Sequence, residues 1–169
     1  LCETASPLDH PRMTTTPPTP PQEPAEGTPA AITLPPMQHK TVLVIDLVES
    51  VRLMAANEAQ VVALWRGFVQ FATTEVLPAR GGRLVKSLGD GLLAEFEHPA
   101  QAVRAALELH RHFDTANRSL PAAQQLYLRA GVNATQLYVD DVHVYGHGVN
   151  LAARVADLAA PGETVVTAS

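Results

Sequence analysis

Hydrophobic and polar positions fall into a regular pattern from about residue 40 onward. The run "TVLVID" (41–46) is apolar and β-branched, which predicts a strand buried on both faces. A short segment, "LVESVRLMA", follows, and then a longer helical one. In the latter, Val61, Val62, Trp65, Phe68, Val69, Ala72 and Val76 recur at three- and four-residue steps and form one broad apolar stripe. Pro78 and Gly81-Gly82 predict its end. "GGRLVKSLGDGLLAEF" (81–96) reads as a hairpin turning at Asp90. After the turn, Leu92, Ala94 and Phe96 alternate with Leu93, Glu95 and Glu97, giving one apolar and one mostly polar face. Pro99 opens a second helix at a favoured position. Its expected buried stripe is Val103, Ala106, Leu107, His110 and Phe113, with Arg104, Glu108 and Arg111 opposite. "LYLRAGVNATQLYV" (126–139) is strand-like, "DDVHVYGHG" a loop, "VNLAARVADLAA" a helix ending at Pro161-Gly162, and "ETVVTA" a last strand.

The predicted order is therefore β, α, β-β, α, β, α, β. It fits an α+β layer with a ferredoxin-like βαββαβ kernel: an antiparallel sheet, helices packed on it, and the first and third strands at its centre. No internal repeat is present.

Composition separates this domain, residues 40–169, from what precedes it. Ten of the 14 prolines lie in residues 1–36, among Thr, Ala, Glu and Ser. Residues 1–39 are expected to form a disordered, Pro/Thr-rich tail, because such a stretch cannot offset its ordering entropy with buried apolar area. The 169-residue chain is 46% hydrophobic and 17% charged, with a formal net charge of −5. That balance argues against a nucleic-acid partner, which clustered Lys and Arg would serve. It does not argue against a nucleotide, since a metal can carry the positive charge. The one cysteine, Cys2, leaves no disulfide within the chain. No apolar run reaches the length of a membrane span, and no basic-then-apolar leader opens the chain, so a cytoplasmic protein without a membrane partner is expected.

Asp46 ends the first strand, where a buried unpaired carboxylate is costly. In the kernel expected here the first strand lies beside the hairpin, so Asp46 and Asp90 can approach a common point. Two carboxylates and a backbone carbonyl form a hard oxygen site of the kind Mg²⁺ takes when phosphates supply further ligands. The plainer reading has Asp46 capping the next helix and Asp90 only making the turn. Asn150 and Arg154 are four apart on one helix face, with Asp157 a turn further on and Leu151, Val155 and Leu158 on the expected buried face. Asn and Arg pointing one way suit an oxyanion or phosphate; the plainer reading is a solvated face with an Arg154–Asp157 pair. Lys86, between Leu84 and Leu88, either snorkels or reaches a ligand. His110 on its apolar stripe reads as a core residue.

"VLVIDLVES", "GGRLVKSLGDGLLAEF" and "VYGHGVNLAARV", in this order, resemble the class III nucleotidyl cyclase catalytic domain of bacterial adenylate and guanylate cyclases. The resemblance covers residues 40–169. It implies a domain that dimerises head to tail, with active sites at the subunit interface and two divalent cations, Mg²⁺ or Mn²⁺, per site. Attack of a 3′-hydroxyl on the α-phosphate of ATP or GTP would then give a cyclic nucleotide. On that resemblance Asp46, Asp90 and the carbonyl of Leu47 are the metal ligands. Lys86 and His143 stand at base-recognising positions, and Asn150 and Arg154 orient the ribose and stabilise the transition state from the partner chain. Two departures are expected to matter. His143 occupies a position where adenylate-type members carry Asp, Thr or Ser, and the family's triphosphate-binding lysine would lie beyond Ser169. The alternative to an adenylate cyclase is a degenerate cyclase-homology module that binds nucleotide or a partner and regulates attached domains.

Overall fold

The computed structural model describes residues 33–167; the tail expected over 1–39 therefore lies, as far as residue 32, outside the described residues. Strand β1 spans Met37–Leu47 and begins inside the segment assigned to that tail. It is followed by α1 (Ser50–Phe71), one π-helical turn (Ala72–Val76) and the short α2 (Leu77–Ala79). The two helical segments expected here are one continuous element with a break in backbone geometry at Asn57 (φ −160, ψ 81). Strands β2 (Gly82–Leu88) and β3 (Gly91–Phe96) form the hairpin, and α3 spans Pro99–Asn117. Then come β4 (Leu128–Val139), β5 (Val144–Tyr145), α4 (His147–Asp157) and β6 (Thr164–Val166). The loop expected over "DDVHVYGHG" thus contains a two-residue strand and the first two residues of α4.

The sheet order is β2-β3-β1-β4-β5, with β6 also on β4. The first four strands reproduce the ferredoxin-like arrangement, with β1 and β3 central. Every pairing is antiparallel except β4–β6, which is parallel. Period-two alternation divides the strands between two faces. On one, Leu43, Ile45, Leu47, Leu92, Ala94, Phe96, Ala130 and Val132 meet α1 and α3 in the main core. Phe68 is fully buried there, stacked on Phe113 at 4.9 Å between ring centroids and 5.0 Å from Trp65. Burying a side chain of that size stabilises the fold by about 1.5–3 kcal/mol. The other face carries a smaller cluster, Val42, Leu137, Val139, Val144 and Ala152, under α4.

Helix faces depart from the sequence reading where an apolar residue sits on the wrong side of its stripe. Leu107 is 49% exposed and Val62 is 41% exposed, while α3 buries Ala102, Ala105 and Leu109 beside the expected Ala106. In α4 Leu151 is exposed, and Leu158 just beyond its end is 77% exposed; the buried residues are Gly148, Ala152, Val155 and Ala156. Small residues face the sheet because α4 lies against the backbone of Gly131 in β4, where a side chain at 131 would meet the Ala152 carbonyl and the Ala156 amide. His110 is buried as expected and bonds Thr164 Oγ1 at 3.0 Å. No helix among the described residues is long and apolar enough to cross a membrane.

Candidate active site

Strand register brings the two aspartates together. Asp46 lies opposite Gly91 across β1–β3, and the Leu47 amide donates to the Asp90 carbonyl at 2.9 Å. Gly89, at φ 53, supplies the left-handed conformation that the turn beside Asp90 requires. Asp46 and Asp90 then line one groove of about 410 Å³ together with Val44, Val149, Asn150 and Asp157. A larger hollow between α1 and the hairpin turn, lined by Met54, Glu58, Trp65 and Arg66, has no such pair of carboxylates.

Neither aspartate has the plainer role. The residue preceding α1 is Glu49, without a side-chain cap, so Asp46 does not cap that helix. Its Oδ2 accepts from Arg129 Nε at 2.9 Å and Nη2 at 2.7 Å. Asp90 does more than make the turn, since its Oδ2 accepts from the hydroxyl of Ser50, the first residue of α1. The Arg154–Asp157 pair does not form either: Asp157 meets Arg129 Nη2 at 3.0 Å. Arg129 was not singled out in the sequence. It stands directly opposite Asp46 in the β1–β4 register, a relation visible only once the strands are paired. One guanidinium thus pairs with two of the groove's three carboxylates, Asp46 and Asp157 but not Asp90, which leaves the groove negative.

The remaining expected residues are less closely gathered. Asn150 is exposed and lines the groove. Arg154, one turn on, is exposed, is not among the groove's lining residues, and has no carboxylate within 4 Å among the described residues. Lys86 is exposed on β2, and His143 is exposed in the β4–β5 loop, its ring centroid 5.8 Å from that of Tyr145. Leu47 is 2% exposed, so only its backbone is placed to act at the strand end.

The donor set suits a hard divalent cation. Oδ1 of Asp46 and Oδ1 of Asp90 have no hydrogen-bond partner among the described residues, while the second oxygen of each is held in place. No group of three or more His, Cys, Asp or Glu that could hold a metal occurs among the described residues. Two carboxylates fit such an ion only in company with phosphate oxygens or water, as is usual for Mg²⁺.

No family profile matches the chain. A protein of Rhizobium meliloti (strain 1021), whose name proposes an adenylate cyclase, is 35% identical over 126 residues, 75% of this chain. The chain spans 22% of that relative's length. The crystal structure of an adenylate/guanylate cyclase/hydrolase from Silicibacter pomeroyi has a TM-score of 0.69 at 27% identity, covering 78% of this chain and 76% of that one. The guanylyl cyclase Cya2 also has a TM-score of 0.69, at 19% identity, covering 80% and 77%; at that identity the likeness is one of fold.

Proposed function

The chain belongs to the class III nucleotidyl cyclase family, and from that premise we propose that it converts ATP to 3′,5′-cyclic AMP and pyrophosphate for intracellular signalling. The observation that carries this reading is the convergence of Asp46 and Asp90 on one negative groove at the end of β1 and the turn of the β2–β3 hairpin.

Asp46 and Asp90 would hold the cations through their unpartnered oxygens, with the Leu47 carbonyl as a third protein ligand. Two Mg²⁺ or Mn²⁺ ions, when bound, neutralise phosphate charge and lower the pKa of the attacking hydroxyl. Arg129 and Ser50 fix the two carboxylates, so their orientation is set before substrate arrives. Asn150 of a second copy orients the ribose. The 3′-oxygen bonds to the α-phosphorus as the bond to the bridging oxygen breaks. Pyrophosphate leaves with that electron pair, and the hydroxyl proton passes to water. Arg154 donates to the oxygens around the α-phosphorus, where negative charge grows in the transition state.

Arg154 reaches that charge from a second copy of the chain, in a homodimer with sites at the interface. Its exposure and its freedom from any carboxylate among the described residues support this placement. Lys86 and His143 read the base. A histidine can donate or accept according to its tautomer, so the choice of ATP over GTP follows the name of the Rhizobium meliloti relative. A reaction that draws on nucleoside triphosphate places the domain in the cytoplasm.

The test is incubation of the full-length protein with ATP or GTP and Mg²⁺ or Mn²⁺, with chromatographic separation of products. Cyclic AMP in excess of cyclic GMP supports the reading. Cyclic GMP in excess reverses the substrate assignment, and absence of both products removes the enzyme.

A further inference from the structure

On the face of the sheet that carries Asp46, one guanidinium joins two elements that the chain order keeps far apart. Arg83, at the start of β2, donates from Nε to Glu95 Oε1 at 2.7 Å. Its other nitrogens reach across to the β4–β5 loop: Nη2 to the Asp140 carbonyl at 3.1 Å, and Nη1 to those of Asp141 and Val142 at 3.2 and 3.4 Å. Little else ties that loop to the body of the domain. Strand β5 contributes two residue pairs, and within the loop Asp140 Oδ1 accepts the amides of Val142 and His143 at 2.8 and 2.5 Å.

Two features make this contact more than a surface ion pair. Glu95 is 7% exposed, and its Oε2 has no hydrogen-bond partner among the described residues. A buried carboxylate is costly unless paired, so Arg83 is the group that makes Glu95 tenable there. The second feature is the strand itself. Residues three apart in a regular strand point to opposite faces. The register shifts between Leu84 and Lys86, so that Arg83 lies opposite Glu95 while Lys86 lies opposite Leu93. Glu95 and Leu93 are two apart on β3 and share a face. The irregularity therefore places Arg83 and Lys86 on one side of the sheet.

We propose that Arg83, braced by Glu95, is a positioning residue that sets where His143 stands relative to Lys86, and so sets discrimination between adenine and guanine nucleotides. The proposal rests on the reading of Lys86 and His143 as the base-facing positions. Arg suits the task and Lys does not. A planar fork can hold one carboxylate and three carbonyls at fixed angles, whereas an ammonium offers a point charge.

The test compares Arg83→Ala and Arg83→Lys with wild type in the full-length protein. Hydrogen exchange is followed over residues 140–145, and the ratio of ATP to GTP affinities is measured by competition against a fluorescent nucleotide. Arg83→Lys keeps a charge beside Glu95 and so keeps the fold even where Arg83→Ala does not. The expected result for Arg83→Lys is a melting temperature near wild type, loop exchange faster by about tenfold, and an ATP-to-GTP ratio altered by about tenfold, the worth of a displaced polar contact. Wild-type exchange in Arg83→Lys overturns the clamp. Faster exchange with an unchanged nucleotide ratio overturns its role in base choice, as does failure of wild-type protein to bind either nucleotide. A wild-type protein that binds ATP and GTP but releases no cyclic product contradicts the cyclase reading alone, and the binding ratio still decides the role of Arg83.

Discussion

Gly131→Ala should unseat α4 and with it Asn150 and Arg154. An added Cβ at 131 would stand 2.3 Å from the Ala152 carbonyl oxygen, 2.4 Å from the Ala156 nitrogen and 2.9 Å from Ala156 Cα. All three are backbone atoms of one helix, so no rotamer change and no truncation at 152 or 156 relieves the clash. Ordinary contact needs about 3.5 Å, so α4 has to lift from β4 by about 1 Å. Overpacking of that kind costs about 1–3 kcal/mol. For a domain of this size that is about 4–12 °C in melting temperature. A catalytic group displaced by about 1 Å loses about 100-fold in rate. The loss should fall mainly on kcat, because in the proposed mechanism Arg154 acts on charge that develops in the transition state. Thermal melting followed by circular dichroism, with cyclic nucleotide formation assayed well below the new midpoint, measures both effects. Wild-type melting temperature and wild-type kcat in Gly131→Ala would refute the backbone-to-backbone seating of α4.

Gly67→Ala is the opposite case: Gly67 lies in α1 with nothing within 4 Å of an added Cβ, so the substitution should stabilise the protein by about 0.5–1 kcal/mol in a denaturant titration. Stability should also depend on pH through His110, whose pKa burial holds below the ordinary value of 6.5. Above that value neither state of the ring is protonated. Below it the unfolded chain takes up a proton that the folded ring resists, so stability falls as pH drops through 6.5 towards the lowered pKa. His110→Gln should flatten the pH dependence of the melting temperature below pH 6.5, with a residual slope from His112, which burial lowers in the same direction. Arg129→Gln leaves Asp46 and Asp157 without their shared cation, and kcat/KM should fall by at least about tenfold, the cost of breaking a partly buried pair.

The order of elements and the pairing of β1 with the hairpin were legible because period-two and 3.6-residue patterns rarely coincide by chance over whole elements. Once those strands are adjacent, Asp46 and Asp90 follow as a pair. Arg129 was not legible, since its partnership with Asp46 depends on the β1–β4 register, and no local pattern fixes that register. The buried face of α4 was misread for a related reason. Of the apolar stripe Leu151, Val155 and Leu158 only Val155 is buried; the helix turns Ala152 and Ala156 to the sheet beside it because Gly131 leaves room for its backbone and not for leucines. Periodicity finds a stripe; what the stripe faces is decided by a residue about twenty positions away. The same holds for Arg83 and Lys86, which strict strand alternation would set on opposite faces and which the irregularity between Leu84 and Lys86 brings to one. Parallel addition of β6 to β4 was likewise invisible, because three residues carry no sign of direction.

In the proposed mechanism Asp46 and Asp90 of one copy and Asn150 and Arg154 of another act on one nucleotide. Mixing two inactive variants tests it most directly. Asp90→Ala removes the metal-side carboxylate and Arg154→Ala removes the transition-state cation, and each alone should make no cyclic nucleotide. In an equal mixture about half the dimers are mixed, and each mixed dimer has one whole site out of two. The mixture should recover about a quarter of the wild-type rate with ATP and Mn²⁺. A mixture as inactive as its separate components, beside an active wild type, would contradict it.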